Sequence, residues 1–211
     1  MDLVGVLEMK VVTTFYRRLV VFARPLVSGI VHPELAVPVE IRSLSKSDVG
    51  AYHLFRPDQP TALIERLLER GRECTAVWHR GRIVHAAWAS LGRAYVDYLN
   101  RDMILQEEEV LILDSFTLSE YRRMSLARAR AAYQAAKLSA RGLRRSLGTV
   151  AVENRVGIAV ATAAGYRPIG MYAYLRAGPF SRYWQRPDGN ANLPPLVAHG
   201  DRTPVVPGER D

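Results

Sequence analysis

The stretch 109–118, EVLILDSFTL, is apolar almost without interruption, and it passes straight into EYRRMSLARARAAYQAAKL, where alanine, leucine and tyrosine recur at helical spacing. A strand that does not alternate apolar with polar residues is one covered on both faces. Such a strand needs other strands beside it and helices above and below it. When it enters a helix after only a few residues, the chain belongs among the α/β sheets. The rest of the sequence has to be arranged around that junction.

Upstream, VEIRSL (39–44) alternates as a strand does, and SKSDVGAYHLF (45–55) follows with a serine suited to cap a short helix. In TALIERLLERG (61–71), Leu63, Ile64, Leu67 and Leu68 share one stripe and Gly71 stands where a left-handed helix cap belongs. CTAVWH, RG and RIVHAAWAS read as two strands and a tight turn, and AYVDYL (94–99) as a further strand or an extension of the last. Past the junction the helix runs from Arg122 to about Ala140 and stops at Gly142. LGTVAVE (147–153) is then a strand, NRVGIAVATAAG (154–165) a helix and YRPIGMYAYLRAG (166–178) one or two closing strands. The pattern predicts a mixed α/β fold: a mostly antiparallel, twisted sheet flanked by helices. It also divides the chain into an N-terminal arm (1–37) ending in HPELAVP, a folded domain (38–185), and a tail (186–211) whose Pro, Gly and Asp content predicts poor order.

With 211 residues, 48% of them hydrophobic, the chain can bury one core of ordinary size. Arginine and lysine outnumber aspartate and glutamate by 29 to 21, and lysine occurs only at Lys10, Lys46 and Lys137. The positive charge is therefore almost wholly guanidinium, which suits planar contact with phosphate or carboxylate but, unless clustered, marks only a solvated surface. Cys74 is the only cysteine, so no intrachain disulfide can form, which fits a reducing, cytoplasmic setting. The histidines are scattered, with none spaced to share a metal on one helix face, and no metal site is expected. FYRRLVVFARPL (15–26) is too short and too interrupted for a secretory signal or a spanning helix. It reads as a packing arm, the alternative being a basic amphipathic helix laid on a membrane or a partner.

A helix that starts directly after a strand turns its unpaired amide hydrogens and the positive end of its dipole out of the sheet, where anions collect. In RRMSLA (122–127), Ser125 and Ala127 are small enough to let an anion approach, and Arg122 and Arg123 add charge. VENRVGIAVATAAGYRPIG supplies a second element: Asn154 at a strand end, a helix of small residues, then Gly165-Tyr166. At these two places the chain resembles the GNAT superfamily of acyl-CoA N-acyltransferases, in which a strand leads through an Arg-x-x-Gly-x-Gly/Ala turn into a long helix, followed by a strand, an Asn-initiated helix and a Gly-Phe-like step into the closing strands. The likeness covers roughly Val39 to Gly178, and the order of elements agrees across it.

The resemblance implies a site for acetyl-CoA or another acyl-CoA. Backbone groups of Phe116, Thr117 and Leu118 would bond its pantetheine arm, the amides of Arg123, Met124, Ser125, Leu126 and Ala127 would take the pyrophosphate, and Asn154 would hold the cofactor near the thioester. The slot would be the splay between EVLILDSFTL and LGTVAVE. Where the family turn usually has glycine, this sequence has Arg123 and Ser125, and where many members carry a tyrosine acid it has Ala161. Tyr166, Tyr172 or Tyr174 could substitute for that acid. Asp114, an acid within an apolar run, reads either as base or substrate anchor or as a structural carboxylate bonded to an arginine or an amide. Glu107 to Glu109 read as a solvated turn that could attract a cationic amine.

The expected reaction is direct transfer of an acyl group, acetyl first, to a primary amine. Lone Cys74, with no His or Asp at a telling distance, offers no nucleophile. Two alternatives stay open: a long-chain or acyl carrier protein donor, with Arg141, Arg144 and Arg145 as the dock for that acidic protein, and a non-catalytic CoA-binding regulator. A homodimer is allowed. Nucleic acid is not an expected partner, because neither a stacking platform nor a known motif is present.

Overall fold

The computed structural model describes residues 14–26, 35–177 and 179–200. The chain opens with β1 (Thr14–Pro25) and β2 (Glu40–Ser43), continues through helices α1 (Val49–Phe55) and α2 (Thr61–Glu69), and then forms the hairpin β3 (Glu73–His79) and β4 (Arg82–Leu91). Two short strands, β5 (Arg93–Val96) and β6 (Arg101–Ile104), precede the predicted central strand β7 (Glu109–Thr117) and its helix α3 (Leu126–Ser139). After these come β8 (Arg145–Ala151), α4 (Arg155–Ala163), β9 (Arg167–Ala177), β10 (Phe180–Pro187) and β11 (Leu196–Ala198).

Eight strands form one sheet in the order β10-β9-β1-β8-β7-β4-β3-β2, in which only β7 and β8 run parallel. The β3–β4 turn is tight because Arg80 and Gly81 both take left-handed conformations, φ 49° and 74°, whose twist matches that of the strands. Strand alternation then separates two cores. On one face Cys74, Ala76 and Trp88 pack with Val49, Tyr52 and Phe55 of α1 and Ile64 of α2. On the other, Ala89 and Val110 meet Ala135 and Leu138 of α3. Each Val, Leu or Ile buried there contributes about 1.5–3 kcal/mol.

Two expectations change. Residues 14–25 were expected in an arm; they form an interior strand, hydrogen-bonded to β8 on one side and β9 on the other. The run looked too interrupted because its two faces differ. Leu19 and Val21 point into a core, while Tyr16 and Arg18 point outward. The second change concerns the tail, part of which is ordered. β10 ends at Pro187, Leu193 is buried, and β11 pairs with β6. AYVDYL contributes to β5, which joins β6 and β11 in a separate three-stranded sheet. That small sheet packs Val96, Leu99 and Met103 against Leu19, Leu111, Leu147 and Tyr172, on the same face as α1 and α2 but further along. Residues 1–13, 27–34 and 201–211, in the expected arm and tail, lie outside the described residues.

Candidate functional site

β7 and β8 stay together over four residue pairs, Glu109↔Arg145 to Ile112↔Gly148, and then their pairing stops. Beyond that point each strand keeps only its outer partner: β7 follows β4 to Thr117 and β8 follows β1 to Ala151. The inner edges, Leu113 to Thr117 and Thr149 to Ala151, are left facing a gap. A bulge widens it. Between Trp88 and Ala86, β4 advances two residues while β7 advances three, and the extra residue falls at Asp114, with φ 47°.

The turn from β7 into α3 lies at the mouth of this gap. Arg123 (φ 65°) and Ser125 (φ 59°) are both left-handed, so the backbone here takes the conformation that glycine would take at low cost, with ordinary side chains in its place. Ser125 is the N-cap of α3 but makes no side-chain cap bond. Among the described residues, no hydrogen bond uses an amide from Arg123 through Arg128, and the first one satisfied is that of Ala129, by the Ser125 carbonyl. A series of unsatisfied amides in a left-handed turn at a helix start is a concave anion receptor. Arg122 and Arg123 are exposed beside it.

On the α1 side of the gap, Asp114 accepts from Arg56 Nη1 at 2.7 Å and Gln59 Nε2 at 2.7 Å, with Tyr52 Oη at 3.5 Å. Tyr52 in turn accepts from Trp88 Nε1 at 2.7 Å. Burial pushes the Tyr52 phenol above its ordinary pKa, so it stays a donor. Arg56 is held charged by Asp58 first and then by Asp114. On the small-sheet side, Tyr98 Oη reaches Glu153 Oε2 at 3.4 Å, and the Arg17 guanidinium lies 5.1 Å over the Tyr98 ring. Burial and then Glu153 raise the Tyr98 pKa, so this phenol too keeps its proton at neutral pH.

Beneath α3 a polar cluster is sealed from water. Arg130 donates to His85 Nε2 and to Gln134 Oε1, and His85 Nδ1 lies 2.8 Å from Thr117 Oγ1. Because Nε2 accepts from the guanidinium, His85 is neutral with its proton on Nδ1. Burial, and then the charge of Arg130, push its pKa down to about 3. On the opposite face, burial in the core under α1 and α2 raises the Cys74 thiol, in keeping with the expectation that it is no nucleophile.

No family model and no curated protein matches the chain. Solved structures do. An acetyltransferase of the GNAT family from Colwellia psychrerythraea superposes with a TM-score of 0.56 at 14% identity, over 79% of this chain and 57% of that one. A GCN5-related N-acetyltransferase from Sphaerobacter thermophilus gives 0.55 at 16%, over 76% and 51%. The aminoglycoside N-acetyltransferase AAC(6')-Iy in complex with CoA gives 0.50 at 20%, over 61% and 91%. The chain has the GNAT fold. It spans only about half the length of the first two of these structures.

Within the GNAT fold, the expected site residues divide by where they stand. Phe116 and Thr117 lie on the open stretch of β7, and the turn from Arg122 to Ala127 stands at its end. Leu118 differs, because its amide already donates to the Val84 carbonyl and its own carbonyl accepts from the Tyr121 amide. Asn154 is at the start of α4, but its Oδ1 accepts from the Gly157 amide at 2.8 Å as a helix cap. Tyr166 Oη is 2.6 Å from Ser146 Oγ, and Ser146 belongs to the paired base of the strands, so this tyrosine stands away from the open end. Tyr172, expected as a possible acid, has no exposed surface and donates to the Pro194 carbonyl; it is a core residue that no substrate reaches. Asp114 takes the structural alternative, with Arg56 and Gln59 as its partners.

Charge readings change as well. Glu109, expected in a solvated turn, is buried and paired with Arg145 at 2.9 Å. Arg141 pairs with Glu73 and Arg144 with Glu108 at 3.8 Å, so all three arginines assigned to an acyl carrier protein dock already have carboxylates within the chain. Sequence reasoning missed Tyr98 and Glu153. Glu153 follows LGTVAV directly, a position at the end of β8 that could have marked it, but Tyr98 reaches it only through the small sheet.

Proposed function

We propose that the chain is an acyl-CoA N-acyltransferase acting on a primary amine. The observation that carries this reading is the run of unsatisfied amides from Arg123 to Arg128 at the end of a strand pair that has parted. These groups fit a diphosphate with an amide-bearing arm: donors and two guanidinium groups for the charge, and two unpaired strand edges for the arm. Acyl-CoA, when bound, supplies an acyl group on a thioester carbon open to attack by nitrogen. The protein's own part is to hold that arm between β7 and β8 and to manage two protons. Glu153, exposed and held only by a long contact to Tyr98, accepts the proton that an ammonium acceptor must lose. Tyr98, protonated at neutral pH, would be the residue able to give a proton to a leaving thiolate, a part that Ala161 has no hydroxyl to play. Asp114, its lone pairs taken by Arg56 and Gln59, fixes the bulge on the opposite side.

Ala127→Glu tests the binding step. A glutamate in the first helical turn favours the helix but repels a diphosphate. The variant should keep its thermal stability and lose retention on immobilised CoA by at least an order of magnitude. Retention equal to wild type would place the nucleotide elsewhere. Thiol release from acetyl-CoA across an amine panel, with Glu153→Gln and Tyr98→Phe as the slowed variants, separates an enzyme from a CoA-binding protein.

A further inference from the structure

The wing of the large sheet formed by the first half of β1 with β9 and β10 is covered on one face and open on the other, the cover by α4 beginning further along β1, where Phe22 is buried. On the covered face, Tyr183 donates to the Leu99 carbonyl and stacks on Tyr174, under the small sheet. On the opposite face the register lays side chains in rows. Tyr16, Leu175 and Arg182 form one row, and Arg18, Ala173 and Trp184 the next. Phe180 stands at one end of β10 and Arg186 near the other, so the strand presents aromatic and cation alternately along a single face. Phe180 is 80% exposed, Tyr16 57% and Trp184 38%. Arg18, Arg182 and Arg186 form no ion pair among the described residues, and these rows contain no acid.

We propose that this face seats the protein on an anionic phospholipid surface. Apolar area is costly to leave in water, and a face with cations and no acids is complementary to negative charge. That same charge repels a second copy of the face. Single-stranded nucleic acid would need free ring faces, but Arg182 lies 5.4 Å over Trp184 and Arg18 5.5 Å over Tyr16, so these faces already carry guanidinium groups. What remains outward is an aromatic edge beside a cation above a floor of Leu175 and Met171. That arrangement suits the boundary between headgroups and acyl chains. The contact is peripheral, for no described helix is long and apolar enough to cross a membrane. It is independent of the nucleotide slot.

The test uses the full chain with phosphatidylcholine vesicles, with and without phosphatidylglycerol. Cosedimentation should require the anionic lipid and weaken with salt. Arg182→Gln with Arg186→Gln should lose roughly thirtyfold in affinity, taking about 1 kcal/mol for each arginine near the surface. Of the three tryptophans, Trp78 and Trp88 are buried, so a blue shift on vesicle binding reports Trp184 and should vanish in Trp184→Phe. An unchanged cooperative thermal unfolding transition in these variants shows that they fold. Three results would overturn the proposal: equal binding to neutral vesicles, full anionic binding by Phe180→Ser with Trp184→Ser, or a labelled single-stranded RNA whose binding needs Arg182 and Arg186 while vesicles do not bind. A concentration-dependent dimer abolished by Phe180→Ser would equally replace lipid with a second copy.

Discussion

Asp114, Arg123 and Ser125 hold φ values of 47°, 65° and 59°, a region that costs an L-residue roughly 1–2 kcal/mol. All three line the proposed slot, which places the backbone strain of this part of the sheet where a ligand would be received. Arg123→Gly removes the penalty at one of them without touching the amide. It should raise stability by about 1 kcal/mol, or roughly 2–4 °C in Tm by calorimetry, with CoA retention reduced only by the loss of one charge. A lower Tm would mean that the Arg123 side chain holds the turn through contacts of its own. At this scale the sequence was informative about the backbone and much less so about side chains. The positions of Arg123 and Ser125 against a glycine pattern pointed to the turn, and the turn has the conformation that pattern needs. By contrast, nothing in the letters separates Tyr172, sealed under the small sheet, from Tyr98 at the mouth. Burial of a given tyrosine depends on strands far away in sequence.

At the scale of elements, α4 contributes its first turn more than its length, since none of its residues is fully buried. That turn comes close to β8 because position 157 is glycine: a Cβ there would lie 2.6 Å from Asn154 Nδ2 and 2.9 Å from Val150 Cγ1. Gly157→Ala should push the helix start off the strand. It should cost about 1–3 kcal/mol in denaturant unfolding despite alanine's better helix propensity, and CoA retention should fall with it. Gly148→Ala is the control, since a Cβ there meets only Tyr166 at 3.9 Å. If both variants were equally stable, the close approach of α4 would be unnecessary. Elements with strong local patterns were legible: the β3–β4 hairpin by its Arg-Gly turn, β7 by its unbroken apolar run, α3 by its alanines. The small sheet was not, because β5, β6 and β11 are three or four residues long, too short for any period to declare itself.

Taken whole, the molecule depends on its N-terminal strand, which joins the β7–β8 part of the sheet to the β9–β10 wing. Without β1, both β8 and β9 would expose backbone edges and the Leu19–Val21 core would open. Deleting residues 1–25 should therefore leave no cooperative unfolding transition and no soluble monomer, as read by circular dichroism and gel filtration. A soluble, cooperatively folding product would restore the arm expected from sequence. Such a long-range pairing is invisible to any local pattern, since two alternating faces look alike whether the neighbours are water or strands. It also sets a timetable at the ribosome. β1 is made before β8, the strand it lies against, which begins roughly 120 residues later, a wait of several seconds at ordinary elongation rates. Until then a ribbon carrying Leu19, Val21 and Phe22 hangs from the nascent chain with nothing to zip against, and holding it harmless falls to chaperones rather than to the protein itself.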